Sequence, residues 1–225
     1  MGEAVGQVLS FAVGVALSPI AVVAIVIMLA TPRGKVNGPA FLIGWMLGLA
    51  ITGTVLLLVS GSMDMGDGGD PSTRSSYIKL ALGIVLLGVA VRRFRARAAG
   101  GGDQELPGWL KTLDGFNAVK ATGLAALLSG INPKNLVLTA GAAMAISQTG
   151  ASTGGEAVAL AVFVVLGSLG VAIPLGIFFL MRDRAEALLG GLRTWMTREN
   201  ATIIGIICLI IGAKLIGDAI SGLSA

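Results

Sequence analysis

Ser129-Gly130-Ile131-Asn132-Pro133-Lys134-Asn135 and Val15-Ala16-Leu17-Ser18-Pro19-Ile20 each set a polar residue and a proline in the middle of a long apolar run. The runs are Ala118–Ser147 and Ala4–Ala30. As unbroken helices they would measure about 45 and 40 Å at 1.5 Å per residue, more than a ~30 Å hydrocarbon core requires. Proline inside a helix removes a donor and presses on the carbonyl four residues back. A polar residue followed by proline is also a helix start, the first as N-cap and the second at the first helical position. A break is therefore expected in both runs, at Ser18-Pro19 and at Asn132-Pro133.

Four further stretches complete the pattern: Pro39–Gly61, Tyr77–Val91, Ala157–Met181 and Ala201–Gly222. The third span is short, and Lys79 at its edge is expected to snorkel. Pro174 predicts a kink in the fifth, and Gly44-x-x-x-Gly48 in the second would permit close helix approach, although 34 glycines make such a spacing common by chance. Each half of the chain thus holds three spans, the first one broken. Because three is odd, the second half must sit upside down relative to the first. The fold expected is an all-α integral membrane protein of six transmembrane helices, arranged as two inverted three-helix repeats. The single membrane domain covers 1–225, with repeat one about 1–98, a glycine-rich linker at 99–105 and repeat two about 106–225.

Composition excludes the alternatives to a membrane protein. Of 225 residues, 55% are apolar and only 12% charged, about half the charged share of a soluble domain; mean hydropathy is +0.89. A soluble enzyme or a nucleic-acid-binding domain does not fit, despite an isoelectric point near 9.6. With no histidine and a single cysteine, Cys208, there are no His-based metal sites, Cys–His nucleophile pairs or disulfides. Asp64, Asp67 and Asp70 lie among glycines in the 62–76 connection, but their spacing and the missing terminal glutamate do not fit an EF-hand. A solvated acidic loop is expected there.

The basic residues sort by connection. Arg33 and Lys35 follow span one; Arg92, Arg93, Arg95, Arg97 and Lys111 follow span three; Arg182, Arg184, Arg193 and Arg198 follow span five. Arg74 alone falls on the other side. By the positive-inside rule the first set is cytoplasmic and both termini face outward. Met1-Gly2-Glu3 lacks a positive n-region, so the first span is expected to be retained. Two amphipathic segments, Leu106 to Phe116 and Leu188 to Met196, predict interfacial helices before spans four and six.

Few ionisable groups fall within the spans. Lys134 directly follows the second break, where a cation costs ~2.5–3.5 kcal/mol on insertion scales. Such a residue binds the anionic part of a substrate, or is held in an ion pair, for instance with Asp218. Half-helix N-termini at the two breaks would themselves favour an anion. The candidate substrate site is Ser18, Pro19, Asn132, Pro133, Lys134 and Asn135. Lys214 and Asp218, one helical turn apart, form a helix-face pair that would couple or gate transport, or simply snorkel.

These residues resemble a known family. Leu17-Ser18-Pro19, Thr31-Pro32-Arg33-Gly34, Ala40-Phe41-Leu42-x-Gly44-Trp45, Pro107-x-Trp109, Ile131-Asn132-Pro133-Lys134-Asn135-Leu136 and Leu215-Ile216-Gly217-Asp218 are similar to the GAP family of actinobacteria. Its members are glycopeptidolipid- and sulfolipid-addressing proteins within the lysine-exporter superfamily, and the resemblance spans nearly the whole chain. It implies a six-helix inner-membrane protein that helps export cell-envelope glycolipids or their precursors, acting beside larger lipid transporters or as a homo-oligomer. Lys134 would repel a cation, which favours an anionic lipid or lipid-linked intermediate as substrate. No ATP-binding motif is present and no cofactor is implied. The alternatives are a small-solute exporter of amino acids or cations, and a non-transporting scaffold for a lipid export complex. An enzyme is the weakest option, because no acid–base pair is apparent.

Overall fold

The computed structural model describes residues 2–64, 73–99, 108–181 and 184–224, with the side chains of residues 62–64 and 111 left aside. The glycine-rich linker at 99–105 lies outside them except for residue 99, as do Asp67 and Asp70 of the acidic loop, and Leu106 and Pro107. All regular structure among the described residues is helical: α1 (Gly2–Ala16), α2 (Pro19–Leu29), α3 (Gly34–Asp64), α4 (Thr73–Ala98), a 3₁₀ turn (Gly108–Gly115), α5 (Ala118–Gly130), α6 (Pro133–Ser147), α7 (Thr153–Gly167), α8 (Leu169–Leu180), α9 (Ala185–Arg198) and α10 (Asn200–Ser224).

Gly34–Gly61, Thr73–Ala98 and Asn200–Ser224 are each long and apolar enough to cross a membrane. Two bent pairs raise the candidate spans to five: α1 with α2, bent by 55°, and α7 with α8, bent by 52°. α5 is a shorter apolar helix, followed by α6 after the Ile131-Asn132 break. Large apolar side chains cover the outside, Leu58 at 69%, Val119 at 78% and Leu180 at 84% exposure, as suits a chain whose solvent is lipid.

Both expected breaks occur, and the local chemistry differs between them. Asn132 caps α6 by accepting the Lys134 amide through its side chain at 3.1 Å. Ser18 stands at the same position before α2 but makes no side-chain cap. A third break falls at Ser168, not at the expected Pro174, which lies inside α8. Proline disturbs the turn before it, because it cannot donate to Gly170. That turn is also where α1 ends: a Cβ on Gly170 would lie 1.9 Å from the Ala16 carbonyl oxygen, so only glycine lets the two chains meet there. Ser168 Oγ donates back to Val164 O at 2.7 Å, and Trp45 Nε1 donates to Gly167 O at 3.2 Å. Buried Trp45 thereby satisfies a carbonyl at the bend.

Helix pairing follows the small residues. α3 packs on α5 and α6, α1 on α6 and α7, and α4 on α10. The Gly44/Gly48 spacing is a true helix contact: a Cβ on Gly44 would sit 2.1 Å from Thr122 O, and one on Gly48 2.5 Å from Ala126 O. Thr122 Oγ1 donates to Ala40 O at 3.0 Å across the same contact. α4 is tied at both ends. Lys79 donates to Gln148, whose Nε2 donates to Ser75 Oγ at 2.7 Å, and Arg97 pairs with Glu199 between α9 and α10.

The two amphipathic segments take different forms. The first, expected as an interfacial helix from Leu106, is a 3₁₀ turn from Gly108 with Leu110 and Leu113 buried. The second is α9, which buries Leu189 and Met196 against the protein and exposes Leu188 and Trp195.

Candidate functional site

The N-terminal ends of α2 and α6 open onto one cavity of about 580 Å³, walled by α4 and α10. Ser18, Pro19 and Ile20 line it from the first break; Asn132, Pro133 and Lys134 from the second. Pro19 and Pro133, far apart in the sequence, thus line one cavity. α4 contributes Leu86, Val89, Arg92 and Arg93, and α10 contributes Ile204 and Cys208.

Lys134 does not pair with an acid among the described contacts. Its Nζ donates to Gly14 O at 2.7 Å and to Leu17 O at 3.1 Å. These carbonyls belong to the C-terminal end of α1, where helical acceptors have lost their partners and the helix dipole is negative. Lys134 itself occupies the first turn of α6, the end that disfavours a cation. Its side chain resolves this conflict by reaching across to α1 and satisfying the open end of the other break.

The remaining expected site residues separate. Asn135 is fully buried and is not among the cavity-lining residues. Its Nδ2 donates to Leu128 O at 3.1 Å, bridging α5 to α6, while Oδ1 has no hydrogen-bond partner. Lys214 and Asp218 form the helix-face pair at 2.8 Å. Lys214 also reaches Gln7 Oε1 at 3.4 Å and lies 5.3 Å from the Phe11 ring centroid. Neither residue of the pair lines the cavity.

Arg92 and Arg93 line the cavity, although sequence reasoning assigned them to membrane orientation. α4 continues as a helix past its apolar stretch to Ala98, so these arginines stay on the bundle instead of leaving in a loop. The one available signal was their position, one helical step after Val91. With Lys134 they make three cations around the cavity, and no carboxylate is among its described lining residues. Such a field concentrates anions. Among the described residues no cluster of three His, Cys, Asp or Glu could hold a metal ion.

Comparison with known families gives one match. The family model described as "Sap, sulfolipid-1-addressing protein" matches residues 8–221, from within α1 to within α10. No curated protein and no solved structure matches the chain. A match over that length includes both breaks, the cavity and Lys134, and the chain therefore belongs to the sulfolipid-1-addressing protein family.

Proposed function

We propose that this protein is a flippase-like exporter that moves an anionic cell-envelope glycolipid or lipid-linked intermediate across the inner membrane, and that it is not an enzyme. The observation that carries this reading is Lys134, a cation inside the bundle that spans the two helix breaks and faces a cavity with Arg92 and Arg93. An ammonium has three N–H donors; two rest on Gly14 and Leu17, and the third serves a ligand oxygen. The sulfolipid in the family's name is a lipid of that anionic class.

In this reading α5 and α6 together make the fourth of six spans, and the halves are inverted repeats. The helix pairing supports it. Exchanging the first span with the fourth, the second with the fifth and the third with the sixth turns the α3–α5 contact into the α7–α1 contact, and leaves α4–α10 unchanged. The termini lie outside, and Arg92 and Arg93 lie at the cytoplasmic mouth. Substrate binding would compete for Lys134 with the α1 carbonyls and so loosen the α1/α2 bend, with Lys214 and Asp218 coupling or gating the motion. The protein works beside a larger lipid transporter or as a homo-oligomer.

The test is a cryo-electron microscopy map of the protein in nanodiscs that hold an anionic lipid. Headgroup density within hydrogen-bond reach of Lys134 is expected. A packed centre with Lys134 unchanged at a saturating lipid fraction would favour the scaffold reading instead.

A further inference from the structure

A second cavity, of about 950 Å³, opens between α2, α8 and α9 and shares no lining residue with the first. Its apolar lining includes Val26, Leu29, Phe178, Phe179 and Leu189. Its charged residues, among those described, are Lys35, at the start of α3, with Arg193 and Glu186 on α9. Phe179 of this lining, and Leu180, Met181 and Leu188 next to lining residues in the sequence, are 41–84% exposed. A cavity that joins an apolar lining with exposed apolar neighbours to a few charged residues has the amphiphilic profile of a lipid rather than of a soluble ion.

The geometry points to a bound phospholipid at this place, its acyl chain along Leu29 and Phe179 and its phosphodiester between Lys35 and Arg193. Arginine presents a planar fork of donors suited to phosphate, and lysine a point charge beside it. Glu186 gives the headgroup a further requirement. A carboxylate near the phosphate accepts hydrogen bonds, so a headgroup that donates them is favoured. Glycerol and ethanolammonium donate; the trimethylammonium of choline does not. The site therefore prefers phosphatidylglycerol and phosphatidylethanolamine to phosphatidylcholine of equal chain length. This preference does not depend on the transport reading. It joins the amphipathic α9 to the C-terminal part of the α2 half-helix through the lipid as well as through direct packing.

Native mass spectrometry of the purified full-length chain tests the inference, with each of the three lipids added singly and glycerol 3-phosphate as a control for free phosphate. Wild type is expected to hold one molecule of phosphatidylglycerol or phosphatidylethanolamine at least fivefold more tightly than phosphatidylcholine, and to show no adduct with glycerol 3-phosphate. Glu186→Ala removes that preference, and a K35Q/R193Q double variant weakens the binding of all three lipids alike. Gly190→Trp fills the cavity from α9, where an added Cβ meets nothing within 4 Å, and is expected to lose the bound lipid while its melting temperature stays within a few degrees. Lys134→Gln, in the other cavity, leaves this binding unchanged. Retention of the headgroup preference in Glu186→Ala, or of undiminished lipid binding in both K35Q/R193Q and the filled variant, would overturn the inference. So would equal binding of the three lipids by wild type, or loss of the preference in Lys134→Gln alone.

Discussion

Lys134 Nζ lies 2.7 Å from the carbonyl oxygen of Gly14, a residue of another helix and of the other half of the chain. This contact joins the two broken runs at the level of their breaks. It also explains how a lysine is tolerated in the first turn of an apolar half-helix. The ammonium is solvated by peptide carbonyls that the α1/α2 bend has freed, and the carbonyls are satisfied by the ammonium. Hydrogen bonds to a charged group contribute about 1.5–3 kcal/mol each, so both breaks depend on the same side chain.

Trp45 has a comparable role at the third break. Trp45→Phe keeps most of the buried ring volume but removes the donor to Gly167 O, leaving a carbonyl unsatisfied in the bend. The expected cost is about 1–3 kcal/mol, read as a lower melting temperature in detergent. An unchanged melting temperature would mean that Gly167 O finds another partner.

Gly44 and Gly48 set how closely α3 approaches α5. Replacing either by alanine puts a methyl group against backbone atoms at 2.1–2.5 Å, which cannot move aside as a side chain end does. Each variant is expected to lose at least about 1–3 kcal/mol of stability and to elute broadly in size-exclusion chromatography. Gly88→Ala and Gly123→Ala, whose added Cβ meets nothing within 4 Å, should be neutral or slightly stabilising. Equal melting temperatures across the four variants would contradict the assigned contact.

How far this architecture is legible in the sequence depends on what kind of group makes each contact. The breaks at Ser18-Pro19 and Asn132-Pro133 are readable because proline removes a donor wherever it sits. The break at Ser168 is not, because its proline comes six residues later and a glycine packing against Ala16 decides where the bend falls. Glycine spacing is ambiguous for the same reason: Gly44 and Gly48 matter through what they face, and nothing in the spacing names Thr122 or Ala126. Lys134 stands out in sequence as a costly cation. Its partners do not, since they are peptide carbonyls and carry no residue identity. Arg92 and Arg93 read as orientation charges until α4 is seen to carry them on to the cavity.

Arg97 and Glu199 hold the end of α4 to the junction of α9 and α10. The hydrogen bond from Arg97 keeps the Glu199 carboxyl below its ordinary range. A carboxyl depressed in the folded state stabilises it fully above the unfolded value, near 4.3, and loses that contribution as pH falls through the lower folded value. Hydrogen exchange around residues 197–203 should accelerate over that acid window in wild type. In Arg97→Gln the fast exchange should already be present at neutral pH, with little further change on acidification. Identical profiles would remove the clamp from the account.

Asp218 is the acid of the proposed coupling pair. Asp218→Asn leaves Lys214 in contact with Gln7 and the Phe11 ring, so the melting temperature should change by no more than a few degrees. If the pair couples transport to protons, the variant loses the stimulation that an imposed pH gradient gives to wild type. Full retention of that stimulation would exclude Asp218 as the coupling acid.

The central claim is that Lys134 recognises the negative charge of the lipid being moved. The direct measurement is lipid translocation in proteoliposomes, comparing an anionic sulfated or phosphorylated glycolipid with a neutral analogue, for wild type, Lys134→Arg and Lys134→Gln at matched insertion and thermal stability. The account predicts a wild-type preference for the anion of tenfold or more, partial retention in Lys134→Arg, and its loss in Lys134→Gln. Wild-type rates and undiminished charge preference in Lys134→Gln would contradict it.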